Sequence, residues 1–79
     1  MVGYRIYILI CDDFEHGDRQ IRSIHETFDG VRAVIDNLYD YYNEKGYVAK
    51  HGINGTLNIY TYRGAMFKKF YVSDRTLEK

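Results

Sequence analysis

The densest run of side chains able to do chemistry is Cys11-Asp12-Asp13-Phe14-Glu15-His16-Gly17-Asp18. Thiol, carboxylate and imidazole are metal ligands, but their order here fits no common centre. A calcium loop needs acidic residues at alternate positions and a Glu at the twelfth, which this run does not provide. A structural zinc site needs more soft ligands than the run holds, unless His25 or His51 joins it. Asp and Gly are the residues that turns select, so the run reads as a solvated turn. Cys11 with His16 or His25 would make a nucleophile and base only with hydrogen-bond reach and a third orienting group, and no local signature supports that. A lone Cys at a strand end reads instead as a buried, inert thiol. No G-x-G-x-x-G, P-loop, H-E-x-x-H or G-x-S-x-G pattern occurs. The expectation is a protein with no catalytic residues, no metal and no cofactor.

The chain that must position these residues has 79 of them, 46% hydrophobic and 28% charged, which suits one folded domain and excludes disorder. A chain this short buries only about 60% of its unfolded surface, so its core is small. Eleven basic side chains balance eleven acidic ones. Neutrality argues against a general nucleic-acid or membrane-surface binder, since both rely on a basic excess. One Cys excludes an intramolecular disulfide and a Cys-based zinc site, and points to a reducing, cytoplasmic setting. No apolar run approaches the roughly 20 residues of a membrane span, and the amino terminus lacks a signal-peptide pattern. Nine Tyr and four Phe without Trp or Pro are the unusual entries.

Val31, Val34, Ile35, Leu38, Tyr41 and Tyr42 recur at steps of three and four, predicting a helix over 29–45. Asp29 is the expected N-cap, Phe28 its hydrophobic staple, and Gly46 the left-handed residue after its end. Tyr4–Cys11 reads as a strand with two apolar faces, the mark of a central strand covered on both sides. Arg19–Thr27 is ambiguous, because Ile21 and Ile24 fit either a helical step or a ragged edge strand; with so thin an apolar stripe, a strand paired with the first is the better reading. Asn54-Gly55 and Arg63-Gly64 mark two-residue hairpin turns between strands at 47–52, 56–62 and 65–72, with 73–79 a frayed tail. The order ββαβββ predicts one α+β domain over residues 1–79, a two-layer sandwich with a four- to five-stranded antiparallel sheet and one helix on one face.

Two-residue loops fix the pairing, and with it the face of every side chain. Val48, Leu57, Ile59, Met66, Phe70 and Val72 fall on one face, broken only by Lys68, and this face suits the helix. Tyr47, Thr56, Asn58, Tyr60, Tyr62, Phe67, Lys69 and Tyr71 fall on the other, with His51 opposite Asn58. Tyr7 and Leu9 join them if Ile6, Ile8 and Ile10 turn toward the helix. One helix cannot cover both faces, and an exposed patch of this kind normally marks an interaction site. Tyr suits it, offering large apolar area on few rotatable bonds and a hydroxyl for water. A solvated sheet face with several Tyr is the plainer reading, since Tyr favours strands.

Charge divides along the chain: residues 1–46 hold nine acidic and five basic side chains, and residues 47–79 six basic and two acidic. Such a division suits self-association, one subunit's basic hairpins meeting another's acidic loop or helix. The functional expectation is a small non-enzymatic protein-binding module and homo-oligomer. It would be an inhibitor or adaptor, of which phage anti-defence proteins are one kind, with a protein partner on Tyr7, Tyr47, Tyr60, Tyr62, Arg63, Phe67, Lys69 and Tyr71. The alternative is single-stranded nucleic acid bound by the basic, aromatic C-terminal hairpins, with bases stacked on the rings.

Overall fold

The computed structural model describes residues 4–77. Five strands and one helix follow the order expected: β1 (Tyr4–Asp13), β2 (Asp18–His25), α1 (Phe28–Glu44), β3 (Val48–His51), β4 (Leu57–Tyr60) and β5 (Met66–Leu77), with a 3-10 turn at Ile53–Gly55. All neighbours run antiparallel in one open sheet of order β2-β1-β5-β4-β3, and α1 lies across one face. The result is a two-layer α+β sandwich. The region 19–27 that could have been helix is strand over Asp18–His25, paired with β1.

Thr27 caps α1, its hydroxyl accepting from the Gly30 amide at 3.0 Å, so Asp29 moves into the first turn, where its charge complements the helix N-terminus. Gly46, at φ 93°, takes the left-handed position that stops the helix. Val31 and Ile35 are buried and Val34, Leu38 and Tyr42 half-buried, while Tyr41 of the expected stripe stays outside. The core they close consists of Leu9, Cys11, Ala49, Leu57, Ile59 and Phe70.

Both hairpins close through three-residue loops, and this changes the register. Gly52 donates to the Thr56 carbonyl at 2.7 Å, leaving Ile53, Asn54 and Gly55 as the loop, with Asn54 and Gly55 both at positive φ. Ala49 therefore pairs with Ile59 and Lys50 with Asn58, one residue from the two-residue expectation. Ala49 enters the core, Val48 leaves it for the opposite face, and His51 pairs with Leu57 rather than Asn58. In the second hairpin Thr61 donates to Ala65 at 2.8 Å and Tyr60 pairs with Met66, where Thr61 was expected to do so. A bulge then absorbs Phe67 and restores the expected pairs Ile59–Lys68 and Leu57–Phe70.

Strand β1 is central but the described residues cover it on one side only, and its faces are the reverse of those expected. Leu9 and Cys11 are buried under α1, so Ile6, Ile8 and Ile10 point away from it. Strand β5 continues to Leu77, where a frayed tail was expected from residue 73, because the N-terminal half of β1 supplies partners from Ile8–Ser73 to Tyr4–Leu77. The last two residues of that tail lie outside the described ones.

Candidate functional site

The face of the sheet turned away from α1 is built by alternation. From β1 come Tyr4, Ile6, Ile8, Ile10 and Asp12, and from β5 their cross-strand partners Leu77, Arg75, Ser73, Tyr71 and Lys69. Strand β2 contributes Arg19, Ile21 and Ile24, because the pairing shifts between Leu9 and Ile10 and Arg22 is accommodated as a bulge. Strands β4 and β3 add Asn58 and Tyr60, then Lys50 and Val48. No described element packs over this face. Ile21 and Ile24 are 64% and 60% exposed.

Its centre is aliphatic and its rim is charged. Arg19 donates to Asp12 at 2.8 Å and its guanidinium lies 5.9 Å from the Tyr71 ring centroid. The Lys50 ammonium lies 6.0 Å from the ring centroid of Tyr60. Among the described residues of the paired strands the rim charges are Arg19, Lys50, Lys69 and Arg75 against Asp12, with Glu26 just past the end of β2, so a neutral chain presents an apolar face with a net basic rim.

Of the eight residues expected to hold a partner, the structure brings Tyr60, Lys69 and Tyr71 together here. Tyr62 and Arg63 sit apart in the β4–β5 turn, exposed, with Arg63 Nε donating to the Tyr62 hydroxyl at 3.1 Å. Tyr7, Tyr47 and Phe67 belong to the other side. Tyr47 and Phe67 stack at 4.6 Å and meet Tyr42 of α1 edge-on, and Tyr7 meets Phe28 edge-on at 5.8 Å. The bulge carries Phe67 to the helix side; the chain entering β3 does the same for Tyr47. The isoleucines missed in their place carry one readable signal: Ile21 and Ile24, three apart, can share a strand face only across a bulge.

The polar run at 11–18 ends β1, turns over residues 14–17 and opens β2 at Asp18. The Asp13 carboxylate accepts from the amides of Glu15 and His16 at 2.9 and 3.3 Å, from His16 Nδ1 at 3.0 Å and from Lys68 Nζ at 3.1 Å. These donors, the His16 ring foremost, hold the Asp13 carboxyl well below its usual range, and Asp13 in turn raises His16. Burial, the largest single influence, would lower Lys68, but the hydrogen bond and the charge of Asp13, with smaller contributions from Tyr42 and Cys11, together outweigh it and raise the amine. Asp13, Glu15 and His16 are close enough to share a cation, yet the Lys68 ammonium occupies the same Asp13 oxygen. Cys11 is buried under the helix, which pushes its thiol pKa up and away from nucleophilic use. Neither His16, held by Asp13, nor His25, bonded to Ser23 at 2.7 Å, hydrogen-bonds to Cys11.

The network fixes a pH dependence. His16 is raised above 6.5, so its stabilising share is complete below about pH 6.5 and is lost as pH rises through the raised value. Asp13 is lowered from 3.8, so its share is complete above about pH 4 and is lost as pH falls through the depressed value. Thermal melts should therefore show a fall in Tm from pH 6.5 to 8 that His16→Gln removes. An unchanged slope in that variant would sever the link.

Beside α1, a cleft of about 340 Å³ is lined by Phe28, Arg32, Ile35, Asp36, His51 and Gly55. Among the described residues no helix is long and apolar enough to cross a membrane. No family model, curated protein or solved structure matches this chain.

Proposed function

We propose that this is a small, non-enzymatic protein-binding module, an inhibitor or adaptor, that holds a partner on the open face of its sheet. One observation carries the reading: the isoleucine rows of β1 and β2, with Tyr71 beside them, form a contiguous apolar surface that no described element covers. Its composition also selects the partner. An apolar centre with a basic rim fits a protein surface that is apolar and acidic, and it disfavours a second copy packed face to face, which would oppose like charges. We place the module in the cytoplasm, where a lone buried thiol stays reduced.

Single-stranded nucleic acid is the second reading, favoured by Tyr60 and Tyr71 standing near Lys50, Lys69 and Arg19. Stacking platforms put rings where bases lie, whereas here the centre of the face is Ile8 and Ile10. The protein reading fits that centre better.

A photo-reactive side chain placed at Ser73, central on the open face, should cross-link one acidic protein in the cells that make this chain. The same probe at Asp40, exposed on α1, should not. Equal capture from both positions would sink the reading. Binding of a single-stranded oligonucleotide that weakens steeply with salt would replace it with the second.

A further inference from the structure

Strand β2 is the edge of the sheet: it pairs with β1 on one side, and no described strand lies on the other. It is eight residues long, lacks Pro and exposes Ile21 and Ile24. A bare edge of this length is a template for another strand. Its bulge restricts which strand fits. Ile21 and Ile24 share the open face although three residues apart, while Gln20, Ser23 and His25 lie on the helix side. A partner strand keeps like faces together on both sides of the bulge only if it carries the same bulge in the same place.

A second copy of β2, antiparallel about a two-fold axis, does this in one register. There Ile21 faces Ile24 of the second copy, Arg22 faces its Ser23 and Gln20 faces its His25. A slip of one residue either way sets Ile21 of one copy on Ser23 or His25 of the other, both on the helix side. Glu26 lies just beyond His25, the last residue of β2, so the matched register brings Arg19 toward Glu26 of the second copy at each end of the seam, and symmetry repeats every pair. The charges are complementary and free to meet. Arg19 uses Nε for Asp12, which leaves its terminal nitrogens, and Glu26 is exposed with no ion-pair partner among the described residues. The opposite edge, β3, is only four residues long.

We propose that two copies of this chain join β2 to β2 in that register, making one continuous ten-stranded sheet whose two open faces lie side by side. The pairing is independent of the partner on the open face, since a monomer would leave that reading intact.

Sedimentation velocity of the full chain at low salt, from micromolar upward, should find a dimer. Glu26→Lys opposes two cations at both ends of the seam and should raise the dimer dissociation constant about tenfold or more. Arg19→Glu with Glu26→Lys reverses both charges and should restore it, with circular dichroism reporting the fold. Should that double variant fail to fold, Ile21→Cys with Ile24→Cys reads the same register by forming a covalent dimer on oxidation. A chain monomeric at every concentration, a dimer indifferent to Glu26→Lys, a folded double variant that stays dissociated, or a cysteine pair that never cross-links would each overturn the proposal.

Discussion

Leu9→Ala should lower the unfolding free energy by about 2–5 kcal/mol, while Ile8→Thr, one residue away, should change it by about 1 kcal/mol or less. Leu9 is fully buried among Val31, Ile35 and the rest of the core, so truncation leaves a cavity that this small core has little means to fill. Ile8 points to the open face between Ile24 and Ser73, and Thr keeps the β-branched shape that strands favour. A domain of this size has only a few kcal/mol in reserve, so Leu9→Ala should be substantially unfolded at 25 °C. Urea titration followed by circular dichroism distinguishes the two variants. A larger loss from Ile8→Thr would mean that β1 turns its even-numbered side chains to the helix.

That comparison matters because β1 is where the sequence is least informative about direction. Elements were legible: the helix from its three-four spacing, its stop from Gly46, the strands from their β-branched and aromatic runs, and the two hairpins from Asn54-Gly55 and Arg63-Gly64. Faces were legible only where one side of a strand is polar. In β4, Leu57 and Ile59 alternate with Asn58 and Tyr60, and their burial follows. In β1 both alternating sets are apolar, so periodicity cannot choose between them. Strand β2, with exposed Arg19, Gln20 and Arg22, gives no stronger hint, and its bulge breaks the alternation altogether.

The aromatic residues show a second limit. Loop length decides strand register, and a glycine marks where a turn is, not how many residues it takes. One extra loop residue moved Val48 and Lys50 onto the open face; in the second hairpin the bulge at Phe67 cancelled the same shift for the rest of β5. Lys69 and Tyr71 therefore stand where the spacing put them, whereas Phe67 and Tyr47 pack near Tyr42. An uncovered face follows from one helix on five strands and was legible early. That it is isoleucine with a basic rim, and not a sheet of tyrosines, depends on loops and bulges with no strong sequence mark.

The composition of that face sets the largest expected effect on binding. Ile10 lies at its centre with its cross-strand partner Tyr71 beside it, where excluded water makes apolar contacts count most. A central anchor of this type contributes about 2 kcal/mol or more, and each 1.4 kcal/mol is tenfold in affinity. Ile10→Thr with Tyr71→Ala should therefore weaken the partner cross-linked at position 73 by about a hundredfold or more, with the far-ultraviolet spectrum unchanged. Lys69→Glu, at the rim, should act mainly on the association rate and reduce its salt dependence. Tyr62→Ala, in the turn and 77% exposed, should shift affinity by less than about threefold, since a solvated side chain outside the face loses little when removed. Calorimetric titration of the purified partner separates these cases. If Tyr62→Ala abolished binding and the central pair did not, the partner would sit on the β4–β5 turn, and the tyrosines would matter for their exposure at the hairpin tip and not for any shared sheet face.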